Sequence, residues 1–188
     1  MDQTLLSFHP KYQAGFNNFL EEEEKKGKGS GLYSVKDSDV YDAAIANLFK
    51  DENDETKKKF IQMLADPYTS LCQALAYWFE THGIKYPDNF WNATQLHRNY
   101  FGDIKNDKRN NMGKEMLMAI CVGMGFDLML TQRVLQKADI TLSEFKEPDK
   151  TYLTIMERIQ GLTIKQFNEL LKRRNIKPLG TPIVGTED

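Results

Sequence analysis

The chain has 188 residues, a length that accommodates one well-buried core with appended segments but not two full-sized domains. Hydrophobic residues make up 40% and charged residues 28%, the ordinary balance of a globular protein, which excludes wholesale disorder. The net charge is -2, but the first 66 residues hold 13 acidic residues against nine lysines, whereas every arginine lies from Arg98 onward. We therefore expect any anion-binding surface in the second two-thirds of the chain.

Membrane, metal and cofactor sites are not expected from the sequence. No segment approaches the roughly 20 consecutive apolar residues that span a bilayer, and the first residues lack the basic and apolar regions of a signal peptide. We therefore expect a cytoplasmic protein without a membrane interaction. Cys72 and Cys121 lie in apolar segments and are predicted to be buried, reduced thiols. The three histidines have no partner at metal-ligand spacing, so no metal and no cofactor is expected.

Residues 1–66 form an acidic N-terminal region with three predicted helices. Apolar spacing indicates one helix over residues 8–20, a second from a cap at residues 37–39 through residue 49, and a third over residues 54–64. The third places Phe60, Met63 and Leu64 inward. Residues 21–31, rich in Glu, Lys and Gly, indicate a solvated helix end and a flexible link. We expect this region or the C-terminal helix pair to supply dimerisation or signal sensing, and this region to bind any protein partner.

From residue 67 the helical pattern is dense. A first helix carries apolar residues at three-to-four-residue spacing and stops at His82-Gly83. Pro87 opens a short helix over residues 87–93, because a first-turn residue needs no backbone donor. A third helix over residues 97–106 buries Ile104 and either Tyr100 or Phe101.

Four further helices follow a polar loop at residues 106–111. Apolar stripes predict helices over residues 114–124 and 128–138, then a linker containing Pro148. Two more helices complete the pattern, one ended by Gly161 and one capped by Thr163. Strand signals are missing, and residues 181–188 indicate a loose tail.

Two short helices joined by a short turn, the second exposing polar side chains, form the arrangement that sets a helix across the DNA major groove. Residues 100–110 resemble the recognition helix and following loop of lambda-repressor-like, xenobiotic-response-element-type regulators. Residues 114–124 are similar to the fourth helix of that family, and residues 135–180 to a helical extension in a Gram-positive bacterial subgroup. The resemblance implies an all-α, lambda-repressor-like helix-turn-helix bundle. It divides the chain into a helix-turn-helix domain (67–147), a packed C-terminal helix pair (148–180) and a tail (181–188).

The chain departs from this family pattern at several positions. Gln95 stands where the family usually has the turn glycine, so it needs the unfavourable left-handed conformation or a different turn. Gly102 lies inside the recognition helix, where Gly costs about 1 kcal/mol relative to Ala unless it permits a close backbone approach. Asp103 would repel phosphate, and residues 87–89 lack the early Gln that the family often presents to DNA.

The resemblance also implies which residues contact double-stranded DNA. Arg98 and Asn99 are the best candidates to read bases, because Arg pairs with guanine and Asn with adenine through two hydrogen bonds. His97 is a weaker third candidate. Gly102 is the position at which the helix backbone would closely approach the DNA. Phosphate contacts at the helix end and in the loop are assigned to Lys105, Asn106, Lys108 and Arg109.

The leading functional prediction is a homodimeric, sequence-specific DNA-binding regulator of bacterial or phage origin, since one short recognition helix reads too few base pairs alone. The alternative is a protein–protein interaction module on a degenerate helix-turn-helix scaffold, as in phage or defence systems, which Gln95, Asp103 and the acidic N-terminal region favour. Both readings imply a protein that is not an enzyme, and the chain carries no nucleophile elbow, P-loop or dinucleotide-binding motif.

Overall fold

The computed structural model describes residues 55–109 and 111–180, and these residues contain α-helices and no strand. The helices, in chain order, are α1 (Glu55–Ala65), α2 (Leu71–Thr81), α3 (Pro87–Thr94), α4 (Asn99–Lys105), α5 (Lys114–Gly123), α6 (Leu128–Lys137), α7 (Asp149–Arg158) and α8 (Ile164–Arg173). The all-helical class is therefore confirmed for the described residues. None of these helices combines the length and the apolar character needed to traverse a bilayer. The helices predicted at 8–20 and 37–49, the link at 21–31 and the tail at 181–188 lie outside the described residues.

The buried side chains form one apolar cluster to which every described helix contributes. Phe60 of α1 is fully buried, and its ring centroid lies 4.8 Å from that of Trp78 and 5.4 Å from that of Phe126. At the other end of the chain, Tyr152 of α7 and Phe167 of α8 pack with ring centroids 6.1 Å apart. The core thus includes α1, which precedes residue 67, as well as the C-terminal helix pair.

Side-chain caps fix where several helices begin. The Ser70 hydroxyl accepts a hydrogen bond from the Gln73 backbone N–H, and the Gln73 side chain accepts one from the Ser70 N–H, a reciprocal cap for α2. Thr163 and Gln166 form the same arrangement at α8, which confirms the predicted cap. Each pair satisfies backbone donors that the first helical turn leaves without partners.

Helix ends agree with the sequence pattern in one case and differ in another. α2 ends at Thr81, and Gly83 follows in the left-handed conformation at φ 77°, as the His82-Gly83 stop predicts. The helix predicted to end at Gly161 instead ends at Arg158. Ile159 there has extended backbone at φ -135° and is buried, so its insertion into the core turns the chain out of the helix before Gly161.

A close backbone contact sets α3 against α5. A Cβ placed on Gly123 would lie 2.4 Å from the carbonyl oxygen of Ala93 and 3.0 Å from the Cα of Thr94. Only glycine permits this distance, because the opposing atoms are backbone atoms that cannot rotate away. The end of α3 is therefore held directly on α5.

A buried ion pair joins the start of α5 to the start of α7. Asp149 is 5% exposed, and its carboxylate accepts hydrogen bonds from Lys114 Nζ at 2.6 Å and from the Ser143 backbone N–H at 3.0 Å. A buried carboxylate without such partners would be strongly destabilising. The pair therefore anchors the linker between α6 and α7 to the helix bundle.

Both cysteines are free thiols in the core, as the sequence predicts. Burial raises the pKa of Cys121 from an ordinary 9.0 to about 12. The pKa of Cys72 is also raised, chiefly by burial. Burial, and then the negative charges of Glu115 and Asp149, raise the pKa of Tyr152 from 10.0 to about 12. These three groups stay protonated in the folded protein well above neutral pH.

Candidate functional site

The turn between α3 and α4 comprises residues 95–98. Gln95 adopts the left-handed conformation at φ 59° and ψ 18°, the first of the two geometries that the sequence allows at this position. The buried Thr94 hydroxyl donates to the Phe90 carbonyl at 2.7 Å and accepts from the Leu96 N–H at 3.1 Å. Leu96 is 4% exposed. The turn is thus fixed by a satisfied hydroxyl and a buried leucine, although a non-glycine residue occupies its left-handed position.

α4 is shorter than the helix predicted over residues 97–106. The Tyr100 and Phe101 N–H groups bond the carbonyls of His97 and Arg98, three residues back, at 3.0 and 3.2 Å. This tighter winding places His97 and Arg98 in a turn that leads into the regular helix. The first full α-helical residue is Asn99, and the last is Lys105.

One face of α4 is buried and the other is polar. Phe101 is 5% exposed and packs against Phe79 and Phe90, with ring centroids 6.1 and 5.9 Å apart, and Ile104 is fully buried. The sequence predicts that either Tyr100 or Phe101 is buried, and in the structure the buried residue is Phe101. The opposite face presents residues at helical spacing around Gly102, namely Arg98, Asn99, Lys105 and Asn106.

Gly102 lies at the centre of this polar face and is partly exposed. A Cβ placed there would meet no atom of the described chain within 4 Å. The close approach that a helical glycine can permit is therefore not made to any described part of this chain. It remains open to an external ligand.

Arg98 is held by two residues of α3. Its Nε lies 2.5 Å from Asp88 Oδ1, in a pair whose side chains are 58% and 71% exposed. The guanidinium carbon also lies 5.4 Å from the centroid of the Trp91 ring, within the range of a cation–π contact. The sequence pattern identifies Arg98 but not its partner, since Asp88 belongs to a different helix.

His97 and Asn99 are exposed at the start of the polar face. His97 Nδ1 accepts from the Asn99 backbone N–H at 3.3 Å, and its ring packs edge-on against Tyr100 at 6.4 Å. The amide of Asn99 has no protein partner among the interactions of the described residues. Its donor and acceptor atoms are therefore available together for a two-point contact.

Two lysines supply the unpaired positive charge of this surface. Lys105 and Lys108 are exposed, and neither forms a salt bridge within the described ranges. Lys105 Nζ lies 5.5 Å from the centroid of the Phe101 ring. Both ammonium groups can reach solvent and would be free to contact an anion.

Arg109 is placed differently from the other predicted phosphate contacts. Its guanidinium stacks over the Tyr100 ring at 4.2 Å and pairs with Asp103 at 3.3 Å, and its side chain is 29% exposed. Its carbonyl accepts from the Cys72 thiol at 3.2 Å. The Cys72 contact ties the loop after α4 to α2, and the other two contacts tie it to α4, so Arg109 has a structural role that the sequence pattern does not reveal.

The neighbouring loop residues are also engaged within the chain. Asn106 Nδ2 donates to the Gly102 carbonyl at 2.7 Å, which leaves fewer donors for a phosphate. Asp107 accepts from the Ser70 hydroxyl at 2.6 Å and from Gln73 Nε2 at 2.9 Å. Asp107 was not predicted to have a role, yet it holds the end of α4 against the start of α2.

A metal site is not formed in the part of the chain that the structure describes, where no three His, Cys, Asp or Glu side chains come together as ligands. Of the eight predicted contact residues, the polar face of α4 brings together Arg98, Asn99, Gly102, Lys105 and Asn106. His97 precedes that face, Lys108 follows it, and Arg109 is turned inward. The chain matches no protein-family model, and it has no match among curated proteins or solved structures.

Proposed function

We propose that this chain is a sequence-specific DNA-binding protein that presents the polar face of α4 to the major groove, as a lambda-repressor-like transcriptional regulator does. The observation that carries the proposal is the pairing of two short helices through a four-residue turn, with Gly102 bare at the centre of the outward face. An α-helix with its side chains is about 10–12 Å in diameter, which fits the roughly 12 Å width of the groove.

The polar and charged side chains of α4 follow the order along the helix that docking in the major groove requires. Arg98 and Asn99 stand at the N-terminal end, where a recognition helix makes its base contacts, and Lys105 and Lys108 stand at and beyond the C-terminal end. Lysines at that end would contact backbone phosphates and orient the helix without reading sequence. Such a short helix reads few base pairs, so we expect a homodimer on a two-fold symmetric site.

A protein-interaction module is the second candidate. Three carboxylates, those of Asp88, Asp103 and Asp107, share this surface, and two of them form salt bridges with Arg98 and Arg109. The charge left to attract phosphate is therefore small. A partner with mixed charge, such as another protein, would fit the same face.

The experiment that separates the two candidates is fluorescence anisotropy with short random-sequence duplex DNA at about 50 and about 200 mM salt. The test variant is Lys105→Gln/Lys108→Gln, because both lysines are exposed and make no salt bridge in the described ranges. Lys58→Gln/Lys59→Gln removes the same charge from the exposed surface of α1, where Lys58 pairs with Glu55, and serves as the charge control.

DNA binding predicts affinity that falls with added salt, falls further in the α4 variant and is unchanged in the α1 control. With two phosphate contacts removed, the slope of log affinity against log salt should decrease by about 2. Absence of binding by the wild type at low salt would reject the DNA proposal and favour the protein module.

A further inference from the structure

We infer that Asp88 is a specificity-determining positioning residue, which holds Arg98 so that its two terminal nitrogens face one guanine. The inference rests on the proposed DNA-binding function. It adds a role for a residue of α3 that the proposed contacts of α4 do not include, and it assigns guanine as the base that Arg98 reads.

The geometry of the guanidinium decides which of its donors remain available. The group carries five N–H donors: one on Nε and two on each terminal nitrogen. Asp88 Oδ1 lies 2.5 Å from Nε, so the carboxylate pairs with the guanidinium on its Nε side. The four donors on the terminal nitrogens make no salt bridge with any described carboxylate, and their forked edge matches the O6 and N7 acceptors of guanine.

Trp91 limits the remaining motion of Arg98. With the guanidinium carbon 5.4 Å from the ring centroid, one side of the group is covered by an aromatic face. Arg98 is thus held at its edge by a carboxylate and on one side by a ring, both from α3. An arginine ordered before binding loses less side-chain entropy when it forms two hydrogen bonds to a base.

The carboxylate of Asp88 also weakens the attraction of Arg98 to phosphate. It offsets the charge of Arg98, so the attraction of this side chain to phosphate in any sequence is reduced. Phosphate binding depends on charge, whereas guanine recognition depends on two aligned donors. Asp88 therefore lowers the overall affinity for DNA and raises the discrimination between sequences.

The test is one round of binding to a random-sequence duplex library, with sequencing of the bound and input DNA. The proteins are the wild type, Asp88→Ala, Arg98→Lys and Asp103→Ala. Asp103→Ala is the matched control, because it removes one carboxylate from the same surface but not the partner of Arg98. Circular dichroism confirms that each variant retains its helix content.

We expect the wild type to prefer guanine at one position by about 5- to 100-fold. Asp88→Ala and Arg98→Lys should lower that preference at that position alone, and Asp88→Ala should raise affinity for the whole library. Asp103→Ala should raise library affinity and keep the guanine preference. A guanine preference that survives in Asp88→Ala, or that survives in Arg98→Lys, overturns the inference while leaving DNA binding intact. A wild type that retains no duplex at low salt contradicts the proposed function itself.

Discussion

Gly180, at the end of the described chain, packs directly on Gln95 in the turn between α3 and α4. A Cβ placed on Gly180 would lie 2.8 Å from both the Cβ and the carbonyl oxygen of Gln95. Both residues have positive φ, 95° at Gly180 and 59° at Gln95. The segment is held in place by Asn168, whose side chain bonds the Leu179 N–H at 2.8 Å and the Leu179 carbonyl at 3.0 Å. The C-terminal helix pair thereby supports the turn that leads into α4.

Substitution of Gly180 or Gly123 by alanine should destabilise the protein. At both positions the new Cβ would collide with backbone atoms, so the packed segments must separate, at a cost of about 1–3 kcal/mol. Urea denaturation of the full chain, followed by circular dichroism, measures the change in the free energy of unfolding.

Gly102→Ala is the control for these two variants. Its Cβ meets no atom of the described chain within 4 Å, and the residue lies inside a helix, so the same chemical change should stabilise by about 1 kcal/mol. Equal effects of alanine at all three positions would contradict the packing described for Gly123 and Gly180.

Substitutions at Gln95 test the left-handed turn. Gln95→Gly relieves about 1–2 kcal/mol of backbone strain but adds freedom to the unfolded chain, so the expected net gain is below about 1 kcal/mol. Gln95→Val should lower stability by more than about 1 kcal/mol, because a β-branched residue is very unfavourable at positive φ. In thermal unfolding of the three proteins, the melting temperature should decrease in the order Gly, Gln, Val at residue 95. A valine variant as stable as the wild type would show that residue 95 is not left-handed.

The Lys114 and Asp149 pair should show strong energetic coupling. Lys114→Met leaves the 5% exposed carboxylate without its cation, and we expect a loss of about 2 kcal/mol. This is less than the loss expected for a fully buried pair, because the Lys114 side chain is 29% exposed and water can partly replace it. Adding Asp149→Asn should recover part of the loss. Strictly additive effects in this double-mutant cycle would argue against the pair.

Stability should fall between pH 9 and pH 12 because of Cys121 and Tyr152. Their pKa values are about 12 when folded and 9.0 and 10.0 ordinarily, so the unfolded chain releases these protons first and is favoured as the pH rises. Urea denaturation under reducing conditions across this range measures the slope. Cys121→Ala should reduce the slope even though it lowers stability at neutral pH. A slope unchanged by the substitution would show that this thiol is not buried.

The elements of this fold are visible in the sequence because each helix has its own apolar period. The predicted cap at Thr163 and the predicted helix start at Pro87 also depend only on local chemistry, and both are found. Periodicity could not choose between Tyr100 and Phe101, since neighbouring aromatic residues at the edge of a stripe are equivalent in sequence. Tertiary packing determines which of the two is buried. Phe101 packs against two other aromatic rings, while Tyr100 stays partly exposed beneath Arg109.

Several partners of the predicted site residues lie on other helices, so local sequence patterns do not reveal them. The resemblance assigns Arg98 to bases and Arg109 to phosphates on one DNA-binding surface. Only the fold places Asp88 against the exposed Arg98, and Asp103 and Tyr100 against the half-buried Arg109. The support of Gln95 by Gly180 likewise depends on how the C-terminal helix pair folds back, which no local pattern encodes.

The central claim is that the polar face of α4 contacts duplex DNA, and an NMR titration tests it most directly. The backbone amide signals of the full-length, isotope-labelled protein would be followed as random-sequence duplex is added at low salt. The largest changes are expected at Arg98, Asn99, Gly102 and Lys105, with little change in the fully buried residues of α5. Absence of changes, or changes that are largest on another surface while α4 stays unaffected, would contradict this claim.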